Sequence, residues 1–350
     1  MSGGIAQLVA VGAQDAHLVG DPEISFFRST YKRHTNFSQT VERQVIQGNV
    51  SNGGMSTVRF ERKGDLLGYV YIVPNDGSKT NSYTAAEWRT KIDKVELLVG
   101  GQVIDEQDST FSTLIAPHTL AANLSKSVAG DLFGGDARFY PLRFAFCENW
   151  QTALPLIALQ YHDVEIRITW GANATSDGDK WDIYANYAYL DTNEREYFAS
   201  TPQNMLITQV QKATASATKI QELNFNHPVK YLAAAKVSAL EIMHDNNKIK
   251  LQINGTDVTD FKFADPNFSH VSMFYHTSYT SALTIDGKGL FFYPFCLEAS
   301  KIQPTGTLNF SRLDSARIVN DTKDSDDDIY AVNYNVLRIE NGMGGLLYSN

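Results

Sequence analysis

The chain has 350 residues, of which 43% are hydrophobic and 20% charged, with a formal net charge of −9. That length exceeds one average domain and suits two, and the composition is that of folded globular protein. A negative chain without a Lys/Arg-rich tail is repelled by phosphate backbones, which excludes direct genome packaging for most of its surface. The 17 tyrosines and 19 phenylalanines favour strands, because aromatic side chains suit half-buried pleated surfaces. Two cysteines, Cys147 and Cys296, are too few for a secreted disulfide scaffold and are expected as buried thiols, which fits assembly in a reducing cytosol. The first Lys or Arg is Arg28, so no signal peptide is expected. No apolar run reaches the ~18 residues needed to span a bilayer. A soluble chain made in the cytoplasm is expected.

In chain order, Ile5, Leu8 and Val9 have helical spacing. The next position on that face is only Ala13, beside Gly12, so residues 1–24 read as an arm. Residues 57–73 give two strand-like runs split by the turn Lys63-Gly64-Asp65. Phe111, Leu114, Ile115 and Leu120 could line a short helix capped by Asp108 or Ser109. From Val164 to Trp170 every second residue is apolar, so Val164, Ile166, Ile168 and Trp170 should face a core that Glu165 and Arg167 avoid. Residues 181–189 alternate more loosely, and residues 191–198 are a second short helical candidate. A stretch rich in Ser, Thr, Ala and Gln begins at Thr201-Pro202, and residues 248–253 alternate again. The pattern is all-β, many short strands with turns between and short helices in loops, which means sandwich or barrel.

Four blocks recur in order. Lys94-Val95-Glu96-Leu97 is matched by Lys248-Ile249-Lys250-Leu251, at 248 − 94 = 154. Phe139-Tyr140-Pro141 is matched by Phe292-Tyr293-Pro294, at 294 − 141 = 153. Pro155 with Leu159-Gln160-Tyr161 is matched by Pro304 with Leu308-Asn309-Phe310, at 304 − 155 = 149. Asp182-Ile183-Tyr184-Ala185 is matched by Asp328-Ile329-Tyr330-Ala331, at 328 − 182 = 146. A drifting offset means small deletions in surface loops. Each copy is domain-sized and holds about eight strand candidates, the count of a two-sheet jelly roll. Two tandem eight-stranded jelly rolls are therefore expected, the first over residues 25–203 and the second over 219–350, joined by a linker at 204–218. Three such chains would present six similar lobes and could fill a sixfold lattice position.

The run from Gly3 to Asp15, Phe26-Phe27, and Tyr31 to Phe37 resemble the opening of the major capsid proteins of nucleocytoplasmic large DNA viruses, the algal-virus and iridovirus type. Leu154 to His162, Leu223 to Pro228, Asn333 to Ile339 and Gly342 to Leu346 continue that resemblance over the whole chain. It implies a structural, non-enzymatic double jelly roll that forms homotrimeric capsomers of pseudo-sixfold outline in an icosahedral virion. It also implies neighbouring capsomers and minor capsid and penton proteins as partners. An internal membrane would lie beneath the shell, met only indirectly, and nucleic acid would not be touched.

Residues with chemical potential are few. His270 and His276 could share a strand face, but two ligands do not make a metal site. Gly287-Lys288-Gly289 and Gly342-Met343-Gly344-Gly345 lack the helix that would cradle phosphate and read as turns. The five aspartates in residues 321–328 lack the glycine and distal Glu of a calcium loop and read as a solvated loop. No G-x-S-x-G elbow occurs. No catalytic residue, metal or cofactor is expected. N-x-[ST] triplets open at Asn36, Asn49, Asn123, Asn173, Asn254, Asn267, Asn309 and Asn320. Asn173, Asn254 and Asn320 are the candidate glycan acceptors, though a cytosolic chain does not meet the usual transferase. Two rival readings of tandem jelly rolls are a carbohydrate-binding module, which would keep sugar affinity as a monomer or dimer, and a cupin-like enzyme, which needs a clustered His/Glu set that the sequence lacks.

Overall fold

The computed structural model describes residues 3–120, 137–236, 240–278 and 290–349. Met1–Asn36 and Phe37–Asn350 form separate compact units. In the first, Gly3–Val9 and Ala16–Val19 are short helices with no buried residue. The helical spacing of Ile5, Leu8 and Val9 thus does produce one helix, and this unit runs twelve residues further than the arm expected at 1–24. Among the described residues no strand forms before Phe37.

The described residues of the second unit form twenty-one strands; five short ones, Ile46–Gln47, Leu154–Pro155, Lys262–Phe263, Leu308–Asn309 and Met343–Leu346, add to the sheets built by the other sixteen. The first eight are β1 (Phe37–Gln44), β2 (Met55–Arg59), β3 (Leu66–Asn75), β4 (Ile92–Val99), β5 (Gln102–Asp108), β6 (Tyr140–Pro141), β7 (Val164–Trp170) and β8 (Lys180–Leu190). The second eight are β9 (Gln203–Ala213), β10 (Ile220–Glu222), β11 (Pro228–Ala234), β12 (Lys248–Ile253), β13 (Thr256–Asp257), β14 (Phe291–Pro294), β15 (Ala316–Asn320) and β16 (Ile329–Glu340). The sheets run β1-β8-β3-β6 and β2-β7-β4-β5, then β9-β16-β11-β14 and β10-β15-β12-β13. Adding eight to each strand number of the first pair gives the second pair. The chain is two jelly rolls, and the duplication extends to strand order and antiparallel pairing.

Pairing also fixes the register of the repeat. Leu97 and Leu251 occupy the same station, opposite Ile166 and Ile318, as the first block requires. Ile183 faces Ile72 and, in the second roll, Tyr330 faces Ala233 one residue beyond, so the fourth block holds as well. The second block lies in equivalent strands but two residues out of step: Tyr140 pairs with Ile72, whereas Phe291, not Tyr293, pairs with the matching Ala234. The third is corrected. Leu154 pairs with Leu67 and Leu308 with Val229, so Leu154-Pro155-Leu156-Ile157-Ala158-Leu159 corresponds to Leu308-Asn309-Phe310-Ser311-Arg312-Leu313, at 308 − 154 = 154.

The segment expected as a linker, 204–218, departs most from expectation. Over Gln203–Ala213 it is an 11-residue strand paired along its whole length with β16. Its glutamines look like connector composition, but the Gln209 and Gln211 amides donate to the Ile104 and Asn226 carbonyls at a half-buried edge. The joint between the rolls is shorter: the helix Thr192–Ser200, with Asp191 at its N-cap, followed by Thr201 and Pro202. Residues 191–198 were a helical candidate, and the helix forms there.

Each roll has its own core. In the first, Val95, Leu97, Ile166, Ile168 and Trp170 pack with Ile72, Trp88 and Ile183. Strand β7 is buried at Val164, Ile166, Ile168 and Trp170 and only half-buried between them, as its alternation requires. In the second, Ile249, Leu251 and Ile318 pack with Leu232, Phe291 and Ile329. Cys147 and Cys296 are buried free thiols.

Candidate assembly surfaces

A third apolar cluster lies between the rolls. It joins Phe111, Leu114, Ile115 and Ala116 of the first roll to Tyr231, Ala233, Phe292, Tyr330 and Val332 of the second. The first group comes from the helical segment after β5. Asp108 accepts the Phe111 N–H at 2.8 Å and starts it, a π-helical turn Phe111–Ile115 follows, and Ala116–Thr119 finishes it as α-helix. The second group is the outer face of the sheet β9-β16-β11-β14. Phe111 and Tyr330 have ring centroids 5.9 Å apart, and Tyr231 donates its hydroxyl to Thr119 Oγ1 at 2.9 Å.

Polar groups register this seam. The second oxygen of Asp108 accepts from Lys212 Nζ at 3.1 Å and from the Tyr330 hydroxyl at 2.5 Å. Lys212 also pairs with Asp328 at 2.8 Å. Asp105 accepts the Val210 N–H at 2.9 Å and the Gln107 amide at 2.9 Å. Burial pushes the Asp105 carboxyl up to about 7, and its hydrogen bonds only partly oppose that shift. Lys230 sits nearby with Nζ donating to the Ala299 carbonyl at 2.8 Å, and burial lowers it to about 8.

Among the described residues the same face of the first roll is less covered, with Trp150 edge-on against Tyr69 at 6.0 Å. Tyr69, Tyr71 and Tyr184 stand where Tyr231, Ala233 and Tyr330 stand in the second roll, because Leu67 matches Val229 and Ile183 matches Ile329. Tyr231 is 0% exposed and Tyr69 is 40% exposed. Tyr71 stacks on Tyr184 at 5.4 Å and meets Phe139 edge-on at 5.9 Å. A groove of about 520 Å³ runs beside them, floored by Val70 and Pro141.

The sequence candidates fall elsewhere. Asn173 and Asn254 are exposed, and Asn254 Oδ1 accepts the Asp314 and Ser315 N–H groups. Asn320 is buried, with Oδ1 accepting from Asn247 at 3.0 Å, so the folded chain leaves no room for a glycan there. His270 and His276 lie on a helical segment, not a strand; Asp265 and backbone carbonyls are their neighbours. Among the described residues no group of three His, Cys, Asp or Glu could hold a metal ion. The run 321–328 is not fully solvated, because Ser325 and Asp327 are buried. Gly287-Lys288-Gly289 and Asn123 lie outside the described residues. Gly342 turns the chain, at φ 78°, into the strand Met343–Leu346.

Residues 25–245 match the family described as major capsid protein N-terminus, and residues 194–345 match the large eukaryotic DNA virus major capsid protein family. The chain belongs to this family. The major capsid protein of Pyramimonas orientalis virus is 36% identical over the full length of both chains. That of Paramecium bursaria Chlorella virus 1 is 32% identical, again over both full lengths. The quasi-atomic model of the PBCV-1 virus capsid superposes with a TM-score of 0.74 at 27% identity, covering 93% of this chain and 100% of that one. These relatives are capsid proteins, not enzymes, in agreement with the family resemblance.

Proposed function

We propose that this capsid protein forms a homotrimeric capsomer of pseudo-sixfold outline, and that such capsomers tile the icosahedral shell of a double-stranded DNA virus. The observation that carries the reading is the internal repeat: two rolls in one chain whose eight main strands run in the same order. Three chains then present six similar lobes, and a closed threefold ring fits among six neighbours. Neighbouring capsomers are its lateral partners, and minor capsid and penton proteins its partners at the inner face and vertices. The net charge of −9 disfavours contact with nucleic acid or an anionic bilayer, so an internal membrane would be met only through other proteins. The N-terminal unit carries exposed Leu8, Val9, Leu18, Phe26 and Phe27 and is suited to meet those inner proteins. Assembly takes place in the host cytoplasm. Light scattering on the purified full chain tests the oligomer, with a mass of three chains as the expected result. A stable monomer at micromolar concentration overturns it.

A further inference from the structure

Strand β11 is buried from Val229 to Ala234, and all of it is apolar or aromatic except Lys230, which is 2% exposed. The first roll has glycine at this station, because Leu67 matches Val229 and Gly68 therefore matches Lys230. A Cβ at Gly68 would stand 2.5 Å from the Trp150 ring, so an indole covers the first roll where the lysine stem fills the second.

The Lys230 charge is not matched by an opposite one. Its Nζ donates to the Ala299 carbonyl at 2.8 Å and lies 5.1 Å from the centre of the Tyr334 ring. Both contacts attract the ammonium, and neither neutralises it. Among the described residues no carboxylate pairs with it. An ammonium carries three donors, so two remain beyond the bond to Ala299. The Tyr334 hydroxyl beside it is buried and has no hydrogen-bond partner either.

Lys230 and Tyr334 line one cavity of about 60 Å³ between the rolls. Asn149 and Thr152 close it from the first roll, and Thr208 and Ser300 from β9 and the second roll. A space of that size holds one small anion or a few waters. Charge decides between them, because water would leave a buried cation uncompensated. The other charged groups on the lining are Glu148 and Lys301. Glu148 pairs with Arg143 at 3.4 Å and Lys301 with Glu298 at 2.6 Å, so Lys230 is the lining charge without a counterion. Burial pushes the neighbouring Cys296 thiol up and the Tyr334 hydroxyl up to about 12, so both stay neutral.

We infer that this cavity binds one small inorganic anion, held by the Lys230 ammonium and the Tyr334 hydroxyl, as a counterion built into the seam between the two rolls. Chloride and phosphate share the required chemistry, a compact negative charge that accepts hydrogen bonds. The site lies within one chain and does not depend on the oligomer proposed above.

Melting of the full chain at constant ionic strength tests it. Sodium gluconate, whose anion is too large for the cavity, is replaced stepwise by sodium chloride in one arm and by sodium phosphate in another, at pH 7. The melting temperature should rise with the logarithm of the concentration of the anion that fits. In Lys230→Met that rise should vanish. Methionine replaces a buried charge with an apolar chain of similar length, a change that folded proteins commonly tolerate. In Tyr334→Phe the same rise should need roughly tenfold more anion, because one donor to a charged group is gone. Burial lowers Lys230 to about 8, and the anion needs the protonated amine. The apparent chloride affinity should therefore fall about tenfold per pH unit above that value. A response to chloride alone assigns a monatomic ion, and a response to phosphate a tetrahedral one. A parent chain whose melting ignores both anions overturns the assignment and leaves water in the cavity. A folded Lys230→Met that keeps the rise places the anion elsewhere and overturns it too, as does a chloride affinity equal at pH 7 and pH 9. Should Lys230→Met not fold, Tyr334→Phe decides, and an unshifted anion dependence there overturns the site.

Discussion

The two rolls share eight strands in the same order but close one end differently. In the first, Trp88, Trp170 and Trp181 meet, with Trp170 and Trp181 centroids 5.0 Å apart and Trp88 5.9 Å from Trp181. Trp170 also donates its indole N–H to Ser56 at 2.9 Å. In the second, the stations of Trp170 and Trp181 hold Thr322 and Asp327. A polar network fills the space: Asn247 donates to the Ile242 carbonyl at 2.8 Å and to Asn320 at 3.0 Å, and accepts from the Thr322 and Lys323 N–H groups at 3.3 Å. One backbone plan thus tolerates an aromatic plug or a hydrogen-bonded one. The first draws its stability from buried area and ring packing, whereas the second gains little net and costs much when broken.

Three measurements sharpen that contrast. Trp170→Ala should cost about 3–5 kcal/mol in denaturant unfolding, because the ring is buried and the cavity cannot collapse between two sheets. A cost under about 1 kcal/mol would mean that the plug contributes area alone and that its neighbours close over the gap. Asn247→Ala should cost about 1–3 kcal/mol, since it strands the Thr322 and Lys323 amides, the Ile242 carbonyl and the Asn320 side-chain oxygen. A neutral result would show that water replaces the network. The smallest effect concerns the seam, where only the first roll places a carboxyl at the station that Val258 fills in the second. Asp105 titrates near 7 when folded, above its ordinary value, so the folded state holds the proton more tightly. Its contribution is fullest below the unfolded value and is lost as pH rises through about 7, at no more than ~1.4 kcal/mol per pH unit. Urea midpoints from pH 5 to 8 should fall with pH, and Asp105→Asn should flatten that slope. An unchanged slope would assign the pH dependence to other groups.

Much of the fold was legible because burial on one sheet face imposes period two. Strand β7 and the Asp108-capped segment needed only local sequence. Strand β9 was misread as a linker because it is a half-buried edge whose partners are amides and carboxylates, so hydrophobic alternation never develops. Asp327 was misread for the converse reason: a run of aspartates looks solvated, and its burial comes from distant chain. The tyrosine face of the first roll was the least legible. Tyr184 and Tyr330 sit in the same four-residue block, yet Tyr330 is buried and Tyr184 half-open. Nothing local distinguishes them; the difference is which segment lies on top.

The joint between the rolls, only residues 191–202, has a kinetic consequence. A tether this short holds the two halves of the inner seam at an effective concentration on the order of millimolar. That seam therefore closes as a first-order event, indifferent to how dilute the chain is. Contact between chains has no such tether and follows mass action. A newly made chain is accordingly a complete two-roll brick at any expression level, whereas any contact between bricks depends on how concentrated they are.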